Sequence, residues 1–237
     1  MDHVSKKFRA ASFSKPLVLS ICLMCTAMVF RLLDIFVFRL DDLLGEIIFS
    51  KIIGFVMVLL FVKAMGAPLS SIGFNVHNKL SIFLLGVVVT STLMVLGYAG
   101  ELLILASDSP QLIIAAIDPK AGVTGGMGFA VFLLLGNIIN CFMEEGLFRG
   151  IMIPLLNRKY TLRVTLFLQA LLFGIWHIPW AFKWYLSGIV SGPGGLMMAL
   201  LIIFLPMVLI GIFLVRCTII QVLSEHHGYL ILSSTQF

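Results

Sequence analysis

Apolar positions along this chain fall in long unbroken stretches. They show neither the one-face periodicity of a surface helix nor the alternation of a half-buried strand. Crossing about 30 Å of hydrocarbon takes about 20 such residues. Seven stretches approach that length: residues 16–38, 45–63, 80–100, 127–156, 163–183, 195–215 and 217–236. The expected fold is all-α, a polytopic transmembrane helical bundle of about seven spans. The chain reads as a single membrane domain, 1–237, with N-terminal helices in 1–126 and a core in 127–237. The longest connection, 101–126, holds the run Gln111–Ile117, too short to span and expected at the interface.

Basic residues set the orientation. With the N-terminus inside, the inner segments carry Lys6, Lys7, Arg9, Lys15, Lys63, Lys79, Arg158, Lys159, Arg163 and Arg216, whereas the outer ones carry Arg39, Lys120 and Lys183. Lys and Arg favour cytoplasmic loops, so the bundle is expected N-in and C-out. The first apolar stretch is too long for a signal-peptide core and reads as a retained anchor.

Composition agrees. Hydrophobic residues are 60% and charged residues 11% of the chain, against about 45–50% and 25% in soluble domains. A soluble fold, a disordered chain and a disulfide scaffold are excluded. The net charge of +5 belongs to topology, so no nucleic-acid partner is expected. Cys22, Cys25, Cys141 and Cys217 lie in or beside apolar runs and read as buried thiols. The partners implied are membrane lipid and a peptide or membrane-protein substrate; none of this specifies an oligomeric state.

Ionisable groups inside a membrane are costly and mark functional sites. Arg31 and Asp34 are three residues apart and are expected to pair with each other; Lys51 is expected to snorkel from a span end. Trp176, Trp180 and Trp184 read as an interfacial aromatic belt. The segment from Asn137 to Gly150 differs. Glu145 and Arg149 are placed to pair at i, i+4, while Glu144 points about 100° away from Glu145. It shares a face with Asn140 and Asn137. Glu144 lies thirteen residues before the basic turn 157–163 and His177 fourteen after it, which puts both about 20 Å from the inner end at 1.5 Å per residue. His226, ten residues beyond Arg216, is placed about 15 Å up by the same rise.

One carboxylate and two imidazoles at one depth suit water activation against an amide carbonyl, with the carboxylate as general base. Glu144, His177 and His226 would also supply the three protein ligands of a catalytic zinc. Spacing leaves zinc and metal-free catalysis both open, and H-E-x-x-H is absent.

At these residues the sequence resembles the CAAX prenyl protease and bacteriocin-processing family of intramembrane proteases (CPBP or Abi). Its E-E-x-x-x-R motif is matched by Glu144, Glu145 and Arg149, and its F-x-x-x-H motif by Phe173 and His177. The resemblance covers about residues 127–230 and implies that Glu144 is the catalytic base and His177 its partner, with Glu145 and Arg149 supporting. His226 aligns with the family's later histidine. The asparagine of H-x-x-x-N is replaced by Leu230, leaving Asn140 or Asn137 as candidates for oxyanion support. The resemblance implies an intramembrane endopeptidase. The alternative is a non-catalytic relative that binds a peptide or partner, of the bacteriocin-immunity type. A proton-coupled transporter is disfavoured by the absence of internal repeats.

Overall fold

The computed structural model describes residues 14–72, 79–106, 116–118 and 123–225. Helix α1 (Pro16–Leu32) starts with proline in its first turn, where the missing N–H costs nothing. It runs into a π-helical segment, Leu33–Phe38, then turns at Arg39, the one non-glycine residue with positive φ (51°) among those described. A short helix α2 (Leu40–Leu44) follows, and α3 (Phe49–Met65) ends on the left-handed Gly66. After a 3₁₀ turn at Leu69–Ile72 comes α4 (Lys79–Ile104). Part of the 101–126 connection forms a small antiparallel ladder in which β1 (Ala116–Asp118) pairs with β2 (Val123–Gly125).

Helix α5 (Met127–Glu144) passes directly into a second π-helical segment, Glu145–Met152. A last turn, α6 (Ile153–Leu156), holds Pro154, whose nitrogen cannot donate to the ladder. Helices α7 (Leu162–Leu186) and α8 (Gly192–Glu225) complete the bundle.

Among the described residues, five helical stretches are long and apolar enough to cross a membrane: Pro16–Phe38, Leu84–Ile104, Met127–Leu156, Leu162–Leu186 and Gly192–Phe213. This is the architecture of a multi-pass membrane protein. The structure departs from the sequence expectation at two places. Helix α3 has 17 residues, so it rises only about 25 Å. Helix α8 is a single 34-residue helix where a turn at Arg216 was expected to separate two spans. Nothing between Gly211 and Gly228 breaks a helix, and one basic residue in an apolar run does not force a turn.

Polarity is inside-out. Val29, Leu60, Leu134, Phe167, Leu201 and Phe213 are exposed, whereas Arg31, Asp34, Glu46, Lys51 and Gln169 are each 3% exposed or less. A lipid-facing bundle has this distribution, because polar groups in hydrocarbon must be satisfied within the protein. The core joins α1, α3, the second π-segment and α7 through Met24, Val58, Met143, Phe148, Met152, Phe173 and Trp176. Small residues set the close approaches. A Cβ on Gly174 of α7 would lie 2.6 Å from Val208 Cγ2 of α8, and one on Gly150 would lie 2.9 Å from the carbonyl oxygen of Ile72. Gly150 thereby holds the 3₁₀ turn against the π-segment.

Candidate active site

Glu144 is the last residue of α5 and Glu145 the first of the π-segment. The change of helix type between adjacent carboxylates separates their surroundings. π-Helical turns recur at functional sites because they re-aim side chains. Glu144 lines a cavity of about 370 Å³, together with Arg31, Lys51, Asn140, His177 and Trp180. Glu145 is absent from that lining, its side chain is 51% exposed, and it pairs with Arg149 Nη1 at 3.2 Å.

Three groups converge on one oxygen of Glu144. Trp176 Nε1 donates to Oε1 at 2.9 Å. Arg31 Nη1 lies 3.8 Å from the same atom, and His177 Nε2 lies 3.9 Å from it. Among the described residues Oε2 makes no hydrogen bond. The last two separations exceed hydrogen-bond length, and the gap between Oε1 and Nε2 is one that a single water can bridge.

The tautomer of His177 follows from its other nitrogen. Nδ1 lies 2.9 Å from the carbonyl oxygen of Phe173, and a carbonyl can only accept, so Nδ1 carries the proton. In the neutral ring Nε2 then holds the lone pair. The imidazole is also packed edge-on against Phe173, with centroids 4.7 Å apart, and the guanidinium of Arg149 covers the other ring contact of Phe173 at 4.2 Å. Glu145, Arg149, Phe173 and His177 thus form one connected stack. Arg31 similarly stands 4.4 Å over the Trp176 ring. A desolvated cation–π contact of this kind contributes about 2 kcal/mol.

The sequence-predicted residues separate accordingly. Glu144, Asn140 and His177 share the cavity; Phe173, Glu145 and Arg149 stand behind the imidazole. Asn140 Oδ1 is buried with no hydrogen-bond partner among the described residues. Asn137 is exposed and turns its amide onto the Leu133 carbonyl at 2.9 Å, away from the site. His226 lies outside the described residues. The height assigned to it was counted from a turn at Arg216, and α8 is continuous there.

Several expectations are overturned. Arg31 does not pair with Asp34. The π-segment begins at Leu33, between them, and its wider turn removes the i, i+3 alignment. Asp34 instead accepts from Ser50, whose backbone N–H and hydroxyl both lie 2.8 Å from Oδ2. Lys51 does not snorkel but is 1% exposed and pairs with Glu46 at 2.8 Å. Trp176 and Trp180 are 0% and 6% exposed and belong to the interior, not to an aromatic belt. Arg31 and Trp176 are therefore the site residues that sequence reasoning missed.

A catalytic zinc needs about three protein ligands and an open position. Glu144 and His177 present an oxygen and a lone-pair nitrogen, but among the described residues no group of three His, Cys, Asp or Glu side chains forms. The described donors fall one short of that number.

Compared with known families, residues 126–233 match the model described as type II CAAX prenyl endopeptidase Rce1-like. No curated protein and no solved structure gives a significant match.

Proposed function

From the premise that residues 126–233 carry an Rce1-like domain of the type II CAAX prenyl endopeptidase (CPBP/Abi) family, a family of proteases, we propose that this chain is an intramembrane endopeptidase of the cell membrane, oriented N-in and C-out. Its substrate is a membrane-associated peptide or protein. The observation that carries this reading is the approach of Glu144 Oε1 to His177 Nε2, 3.9 Å, across a cavity enclosed by helices. Water held between them gives a proton to the carboxylate of Glu144 as its oxygen attacks the carbonyl carbon of the peptide bond. The lone pair of His177 Nε2 orients that water by accepting its second hydrogen. Collapse of the tetrahedral intermediate returns the proton from Glu144 to the leaving amine. Asn140, one helical turn before Glu144, is placed to donate its amide to the oxyanion, a role left open by Leu230 standing where relatives have asparagine. Glu145 and Arg149 hold Phe173, and through it the imidazole.

The test uses two internally quenched peptides in proteoliposomes, one farnesylated at a cysteine three residues from its C-terminus and one unprenylated. Removing a general base costs about 10²- to 10⁴-fold, so Glu144→Gln should abolish detectable cleavage of whichever peptide the wild type accepts. Full cleavage by that variant overturns the assignment. Leu230 also favours a second reading, a non-catalytic peptide-binding relative. Undiminished bacteriocin protection by a Glu144→Ala/His177→Ala variant would select it.

A further inference from the structure

Arg31 sits on α1, outside the matched residues 126–233, and is 3% exposed. A guanidinium buried in a bundle core is costly unless its charge is used. Its surroundings here are specific. One face covers the Trp176 ring at 4.4 Å, Nη1 lies 3.8 Å from Glu144 Oε1, and Arg31 lines the same cavity as His177. Its Nε is buried and makes no hydrogen bond among the described residues. Trp176, held under the guanidinium, sends its own N–H to that same Oε1 at 2.9 Å. One carboxylate oxygen, Oε1, is therefore approached by an indole N–H, a cation and the imidazole.

We infer that Arg31 is a positioning residue, contributed by the first helix, which with Trp176 fixes Oε1 of Glu144 at the distance from His177 Nε2 that one water bridges. The inference rests on the reading of Glu144 as the base. An anchored Oε1 restrains the side-chain torsions and keeps the water it shares with His177 Nε2 within reach of proton transfer. The first helix then completes a site whose other components lie in residues 140–177. Packing alone would give a different result on substitution. Methionine fills much of the same space and lies flat on an indole, whereas lysine keeps the charge with a poorer fit.

The experiment compares Arg31→Met, Arg31→Lys and Glu144→Gln by two readouts, after melting curves confirm that each variant folds. Cleavage of the two quenched peptides is resolved into kcat and KM. The indole N–H resonances of ¹⁵N-tryptophan-labelled protein in micelles are recorded, with Trp176 identified by its loss in Trp176→Phe. Positioning worth one decade of rate lowers kcat about 10-fold or more in Arg31→Met with KM unchanged. Arg31→Lys should recover most of that loss. The Trp176 resonance should move in both Arg31→Met and Glu144→Gln. If Arg31→Met turns over like Arg31→Lys, or leaves the resonance unmoved while Glu144→Gln shifts it, the inference is overturned and Glu144 keeps its role. If Glu144→Gln itself turns over normally, the assignment of the base fails, whatever Arg31 does. Should neither peptide be cleaved, the resonance alone decides the clamp.

Discussion

Trp176 and Glu144, thirty-two residues apart on different helices, are joined by a 2.9 Å hydrogen bond from Nε1 to Oε1. This contact fixes the register of α7 against the end of α5. Residue 176 can donate to residue 144 only when His177, the next position along, also stands at the level of that carboxylate. The imidazole and the carboxylate are thus set by a third side chain rather than by direct contact.

Trp176→Phe should keep the packing and lose the donor. Leaving a buried carboxylate oxygen short of one hydrogen bond costs about 1–3 kcal/mol. The expected outcome is a fall in kcat of about 5- to 140-fold at about 1.4 kcal/mol per decade, checked by steady-state cleavage of the quenched peptides.

The two adjacent glutamates should respond unequally. Glu145→Gln keeps an amide oxygen that can still accept from the Arg149 guanidinium, and Glu145 does not line the cavity. Its kcat should fall less than about 10-fold, against at least about 100-fold for Glu144→Gln. Equal losses would argue against the separation of roles.

Gly150→Ala places a methyl group 2.7 Å from Ile72 Cβ and 2.9 Å from its carbonyl oxygen. Because one obstacle is backbone, the 3₁₀ turn must shift, at about 1–3 kcal/mol. A melting curve in detergent should show a clear loss of stability.

Lys51→Met leaves Glu46 buried without its ammonium partner. Breaking such a pair from one side costs about 3–5 kcal/mol, whereas Lys51→Met/Glu46→Gln should recover much of it. The comparison of three melting temperatures checks this.

Acid stability should depend on the end of the bundle where Asp42 meets Lys183. The Lys183 ammonium, 2.8 Å from Asp42 Oδ1, and the Arg39 guanidinium beside it hold the Asp42 carboxyl below the ordinary carboxylate range. A depressed value stabilises the fold above the unfolded value of about 3.9 and loses that contribution as pH falls through the lower folded value. Asp42→Asn should therefore weaken the protein at neutral pH more than at pH 3, and flatten its melting profile across that acid range.

Helix content and the meeting of Glu144 with His177 were legible because both rest on simple periodicities. A 20-residue apolar run and a fixed rise per residue on either side of one turn suffice. Arg31 was not legible, since its partner changed when the helix widened at Leu33, and a π-turn has no sequence signature of its own. Trp176 looked like a belt residue because depth along a helix says nothing about which way a ring faces. The turn expected at Arg216 failed for the opposite reason: one charge was given weight that only a helix breaker carries. No local pattern tied Glu46 to Lys51, five residues on.

The length of α8 has a mechanical consequence. Thirty-four residues make a rod about 51 Å long, which would need to lean by more than about 50° to stay inside 30 Å of hydrocarbon, beyond the usual range of 0–40°. The rod therefore projects beyond the hydrocarbon at one end or the other. That projecting end is in direct continuity with the stretch that packs along α7, so a force on it is transmitted to the helix that carries His177.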